Sequence, residues 1–185
     1  MNKLGTLVAL FVALLVSAFT LVSPSPASAE SETVHDASGE VPEWMDVVAL
    51  RATNNQHRMR VVLHVRDLQD RGKFELGFRW NGGDDVGYYF FVRVRQTDDG
   101  IKTDFRHEKQ SGDSSPKWTC AENHGTFSYD PEDDRILLAV PHACLRAYDG
   151  IRVINNWGGY GVSYGGYVDG ELRFDSQRTK RLQRG

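Results

Sequence analysis

Apolar and polar residues alternate along residues 58–68, Arg-Met-Arg-Val-Val-Leu-His-Val-Arg-Asp-Leu. Met59, Val61, Leu63 and Val65 fall on one side. Arg58, Arg60, His64 and Arg66 fall on the other, with only Val62 out of step. A strand sends successive side chains to opposite faces, so this spacing predicts a half-buried strand with one wet face. The pattern recurs on either side of it. Val48, Leu50 and Ala52 are in step over residues 44–53, and Asn54-Asn55-Gln56 supplies the turn between the two strands. Beyond Asp70-Arg71-Gly72, the side chains of Phe74, Leu76, Phe78 and Trp80 are expected inward. A loop at Asn81-Gly82-Gly83-Asp84-Asp85 precedes a second inward row of Tyr88, Phe90, Val92 and Val94. Asp98-Asp99-Gly100 then reads as a hairpin turn leading to Ile101, Thr103 and Phe105.

The second half is less regular. Residues 107–117 read as a loop, and short strands are expected at 118–120 and 126–129. Asp130-Pro131-Glu132-Asp133-Asp134 turns the chain into an apolar central strand at 136–140. One helical turn at 141–145 is expected to present Cys144. A late strand with Ile151, Val153 and Asn155, a Gly/Tyr loop over 156–166 and a closing strand over 167–174 complete the series. No amphipathic helix longer than about two turns is evident. Short strands separated by turn signals predict an all-β fold, an antiparallel β-sandwich of jelly-roll type, with a closed β-barrel as the alternative.

Three segments carry a resemblance: Asp46-Val47-Val48-Ala49-Leu50, His64-Val65-Arg66-Asp67-Leu68, and Val140-Pro141-His142-Ala143-Cys144-Leu145. They resemble a family of small secreted bacterial β-sandwich proteins of unknown function. The architecture of that family is similar to the DOMON and family-9 carbohydrate-binding sandwiches. The resemblance implies a DOMON-like sandwich over most of the chain, in a class whose members bind haem or sugars. Haem needs axial ligands, and Met59 sits on the expected core face, so no Met/His pair is on offer. The resemblance carries over no functional residues.

Residues 1–29 are expected to be a signal peptide. Lys3 supplies a positive start, residues 4–22 an apolar run, Ser23-Pro24-Ser25-Pro26 a break and Ala27-Ser28-Ala29 a cleavage site. Removing it leaves about 156 residues, one domain's worth. Residues 30–43 then read as a flexible arm, 44–174 as the sandwich, and 175–185 as a basic, disordered tail with Arg178, Lys180, Arg181 and Arg184. No other stretch is apolar enough to span a membrane. The net charge of −3 argues against nucleic acid as a partner, because phosphate binding needs a basic field. An extracellular monomer is expected, with Cys120 and Cys144 joined in a disulfide.

Gly161-Val162-Ser163-Tyr164-Gly165 matches G-x-S-x-G, but no helix can start well at Gly165-Gly166 and no His follows His142. His107-Glu108 begins an H-E-x-x-H string in which Ser111 replaces the second His. Neither motif supports catalysis, so no catalytic residue is assigned. Asp130, Glu132, Asp133 and Asp134 are candidate calcium ligands, because Ca²⁺ takes several loop carboxylates. No other cofactor is implied. Trp157, Tyr160 and Tyr164 with Asn156 are candidate sugar-binding residues, joined by Trp80 and Asn81. Rings stack on the C–H faces of sugars, and amides bond their hydroxyls. The resulting expectation is a secreted, non-catalytic binding protein for a polysaccharide or cell-envelope polymer. The alternatives are a small secreted hydrolase and a structural or interaction protein of the envelope.

Overall fold

The computed structural model describes residues 29–36, 41–81, 87–109, 116–145, 156–168 and 171–184. The alternating row at residues 59–65 does form a strand, β3 (Arg58–Val65), in which Met59, Val61, Leu63 and Val65 are all buried. Before it come β1 (Glu30–His35) and β2 (Val47–Asn54). After it come β4 (Lys73–Asn81), β5 (Gly87–Thr97) and β6 (Gly100–Lys109). The second half contributes a short helix, α1 (Thr119–His124), then β7 (Thr126–Asp130), β8 (Arg135–Pro141), β9 (Asn156–Val168), β10 (Glu171–Arg178) and β11 (Leu182–Gln183). A 3-10 turn at His142–Cys144 presents Cys144, as expected.

The strands form two antiparallel sheets. The first has the order β1-β2-β3-β8-β7 and the second β10-β9-β4-β5-β6, with β11 continuing along the β9 edge. The sheets do not close on each other, so the fold is an all-β sandwich and not a barrel. The core lies between their inner faces. Leu50, Met59, Val61, Leu63, Ile136 and Leu138 from the first sheet meet Phe74, Leu76, Phe78, Phe90, Val92 and Trp157 from the second.

Several elements differ from the expectation, each for a physical reason. The arm expected over residues 30–43 is in part the edge strand β1, in full register with β2, pairing Val34 with Leu50. An edge strand needs backbone pairing more than burial, and charged side chains suit it. The tail expected over residues 175–185 includes the end of β10 and all of β11. It is anchored by two buried residues, Thr179 and Leu182. Gly159 N–H donates to Thr179 Oγ1 at 2.9 Å, and Asn54 Nδ2 donates to the Leu182 carbonyl at 2.8 Å. Residues 119–124 are helical, not extended. A bulge between Val47 and Ala49 turns Val47 inward in place of Val48. Ile101, expected inward, is 40% exposed because β6 is an edge strand.

The largest difference is residues 156–166. They form β9, between β10 and β4, and not a loop. Its inner face is built of small residues because the sheets approach closely there. A Cβ on Gly161 would stand 2.4 Å from Leu63 Cδ1, inside any van der Waals contact. Apart from Trp157, which enters the core, the bulky described residues of β9 therefore point the other way.

Cys120 and Cys144 are bonded, with Cα atoms 5.4 Å apart. Trp118 Nε1 donates to the Cys144 carbonyl at 3.1 Å, so the bridge and the indole together pin α1 over one end of the core. No helix among the described residues is long and apolar enough to cross a membrane. The expected signal peptide, apart from Ala29, and the expected late strand at 151–155 lie outside the described residues.

Burial lowers the pKa of His64, His107 and His142 from the ordinary imidazole value. His142 is held neutral with Nε2 donating to the Asn55 carbonyl at 2.8 Å. A lowered folded pKa means that the unfolded chain binds the proton more readily. Stability is then full above about pH 6.5, the unfolded value, and falls as pH drops through the folded values. Asp175 acts oppositely: burial raises its carboxyl, so below that raised value protonation favours the fold. Thermal melts at pH 7.5 and 5.5 should show a lower Tm at the acid value. Equal melting temperatures would show that the buried imidazoles carry no linkage.

Candidate functional site

The strand registers place the outward-pointing side chains of the second sheet on a grid. One transverse row reads Arg178, Tyr160, Gly77, Phe91, Arg106 from β10 across to β6. The next reads Ser176, Val162, Glu75, Arg93, Asp104. On the other side of the first row, Arg79 lies between Gly158 and Tyr89, and Tyr89 faces Glu108. Gly77 thus stands at the centre of the outer face with no side chain. A Cβ there would fall 2.1 Å from the Phe90 carbonyl oxygen, so only glycine fits. Beside this close backbone approach, Glu75, Tyr89, Arg93, Glu108, Tyr164 and Arg178 surround a depression of about 260 Å³.

The depression has an aromatic floor and charged walls. Phe91 and Tyr160 are buried beneath their neighbours, while Tyr89 and Tyr164 are half-buried and reach the surface. Tyr89 meets Tyr160 edge-on, with centroids 5.8 Å apart. The Arg93 guanidinium bonds Glu75 Oε1 at 2.7 Å across β4 and β5. The Tyr164 hydroxyl bonds the same carboxylate, and Lys73 Nζ lies 4.7 Å from the Tyr164 ring centre. Burial and then Glu75 push the Tyr164 phenol up to about 12, and burial drives Tyr160 well above its ordinary value. Both phenols therefore stay protonated near neutral pH and can donate. Glu108 and Arg178 complete the rim.

The candidate residues scatter relative to this site. Tyr160 and Tyr164 belong to it. Trp157, on the same strand but of opposite parity, has no exposed surface and packs edge-on against Phe90 at 5.2 Å. It is a core residue, so its assignment as an exposed sugar platform is corrected. Trp80 is on the inner face of β4, stacked on Tyr88 at 5.7 Å at the end of the core, and does not face the depression. Asn156 and Asn81 pair through their backbones with Gln183 and Gly87, and their side chains lie outside the described residues. Ser163 is fully buried and donates from Oγ to the Met45 carbonyl, which leaves no nucleophile.

Of the candidate calcium ligands, Asp130 and Asp133 both reach Arg135, at 3.0 and 2.7 Å. Asp134 Oδ1 accepts the Leu68 N–H at 2.8 Å, and Glu132 is exposed in the turn. These contacts give each aspartate a turn-forming partner. Among the described residues, a different trio converges: Asp36, Asp46 and Asp175 bring one oxygen each within 4.8 Å of one another. Asp46 is paired to Arg66 at 2.8 Å, and Asp175 accepts the Val47 N–H at 2.7 Å.

Sequence reasoning missed Glu75, Tyr89, Phe91, Arg93, Glu108 and Arg178. One signal was present. Residues 88–91 are aromatic at both parities, so a ring must lie on the outer face whichever side is buried. The chain matches no protein-family model, and a comparison with curated proteins finds no relative.

Proposed function

We propose that the protein is an exported, non-catalytic carbohydrate-binding module whose site is the aromatic-floored depression on the outer face of the second sheet. The observation that carries this reading is the presence of rings where a soluble sandwich normally shows only polar side chains. Tyr89 and Tyr164 offer ring surface to sugar C–H groups. The carboxylates of Glu75 and Glu108 accept from hydroxyls, and Arg93 and Arg178 donate to them. Few convergent polar groups around an aromatic patch is the usual composition of a small-ligand site. The volume sits near the low end of such sites, about 300 Å³, which suits one ring or a short stretch of a chain. Export is supported by the signal-like pattern of residues 1–29 and by the disulfide, which persists in oxidising compartments.

The test is calorimetry of the processed protein against a panel of oligosaccharides, repeated with Tyr89→Ala and Tyr164→Ala. Each substitution should weaken binding roughly tenfold, or about 1.4 kcal/mol, the cost of a moderate aromatic contact. Ile101→Ala, on the exposed edge strand, should leave it unchanged. Variants that bind like the parent would remove the basis of this reading.

A hydrolytic reading has one observation in its favour. Glu75 and Glu108 line the same depression, and glycosidases work with two carboxyl groups flanking one bond. Glu75 is committed to Arg93 and Tyr164, which leaves Glu108 as the proton donor. Release of reducing ends by the parent protein, abolished in a folded Glu108→Gln variant, would establish that reading over simple binding.

A further inference from the structure

The charges on the outer face of the second sheet do not balance. Arg79, Arg93, Arg106 and Arg178 stand there against Glu75, Asp104 and Glu108. Glu75 pairs with Arg93, and Asp104 pairs with Arg106 at 2.9 Å. Arg79 and Arg178 remain against Glu108 alone, a net excess of one positive charge in this set. This basic excess sits on a chain whose net charge is −3.

Arg79 is the more unusual of the two. It is half-buried, beside Tyr89 and paired across the strands with Gly158, whose Cβ position is covered by the Thr179 and Lys180 carbonyls. Its Nε is buried with no hydrogen-bond partner among the described residues. Its one hydrogen bond runs from Nη2 to the Thr179 carbonyl at 3.5 Å, long for an N–H donor. Its charged neighbours are Arg178 and Arg181, and burial with their repulsion lowers its pKa. A guanidinium in this position has lost water without gaining a counter-charge, a costly state that an incoming anion relieves. The planar fork of arginine suits a carboxylate or phosphate held by two parallel bonds.

Resting on the carbohydrate reading above, we infer that the depression selects an anionic glycan, and that Arg178 on its rim, with Arg79 beside it next to Tyr89, holds the oxyanion while Tyr89 and Tyr164 hold the ring. The chemistry shared by the candidate ligands is an oxyanion carried on a sugar polymer, either a carboxylate or a phosphodiester.

Calorimetry of the processed protein decides it with three probes of matched length: oligogalacturonate, a sugar-phosphodiester oligomer and a neutral galacto-oligosaccharide. At low salt, one of the charged probes should bind at least roughly tenfold tighter than the neutral one. That advantage should fade in about 0.5 M salt, where exposed charges are screened beyond a few ångströms. Arg178→Gln and Arg79→Gln should each lower the ratio of charged-probe to neutral-probe affinity roughly tenfold, the scale of a lost charge-assisted bond. Arg178 is exposed, so its variant will fold even if Arg79→Gln does not. Equal affinity for charged and neutral probes, or charged binding that survives Arg178→Gln, overturns the selectivity. In that case neutral binding lost in Tyr89→Ala would leave the carbohydrate reading standing. Failure of all three probes would bring down both.

Discussion

Trp157→Ala will lower the unfolding free energy by about 3–5 kcal/mol, the range for removing a large ring from a packed core. On the carbohydrate-binding reading proposed above, glycan affinity per folded molecule will not change. The indole has no exposed surface and stands edge-on to Phe90 at 87°. Its backbone pairs with Leu182, itself fully buried, so the same residue also secures the C-terminal β11. For a domain of this size each kcal/mol moves Tm by about 2–4 °C, which gives a drop of roughly 10 °C. Tyr164→Ala gives the opposite profile. It removes a half-buried ring from the outer face, so it should cost little stability and most of the binding. Melting curves and calorimetry on the two variants separate core from site. If Trp157→Ala melts like the parent and loses ligand, then Trp157 must reach the surface and the assignment of faces on β9 is wrong.

That assignment is also where the sequence was hardest to read. Strands β3, β4 and β5 were legible because their inward rows are large and apolar and their outward rows mostly charged. On β9 the two rows exchange character. The inward row carries Gly159, Gly161 and Ser163, while Tyr160, Val162 and Tyr164 point outward. Glycines between tyrosines look like a loop when composition alone is weighed. The period of two survives, but the small residues mark the dry side, because Leu63 occupies the space their side chains would need. The candidate site was hidden for a related reason. It has no motif, since its members come from β4, β5, β6, β9 and β10, and only the register brings them together. Tyr160 and Tyr164 were found by composition, and Trp157 was included with them by proximity in sequence. Gly77 marks a close approach to the Phe90–Phe91 backbone, and an isolated glycine in a strand signals a bulge or a close approach without saying which. The disulfide, by contrast, was legible from two cysteines and the signal-like pattern of residues 1–29, with no geometry required.

Replacing both Cys120 and Cys144 with alanine will destabilise the fold by about 3–4 kcal/mol, the chain-entropy value for a closed loop of this length. The two residues are 24 apart in sequence, and the loop between them holds β7 and all of β8. Without the bridge, α1 and Trp118 are held by burial, by the Trp118–Cys144 hydrogen bond and by the Trp118 N–H, which donates to the Phe105 carbonyl at 2.8 Å. Trp118 packs edge-on against Phe90 at 5.1 Å, on the same ring that Trp157 contacts at 5.2 Å. Phe90 therefore links the disulfide end of the core to β9. Loosening Trp118 gives Phe90 room to shift, so part of the Trp157 packing is lost before Trp157 is touched. In the cysteine-free background Trp157→Ala should then cost less than in the parent, by roughly 0.5–2 kcal/mol, as expected for sites that share a partner. A double-mutant cycle from urea titrations measures that term directly. Strict additivity would mean that Phe90 holds its place without Trp118, and that the disulfide acts on the unfolded chain alone.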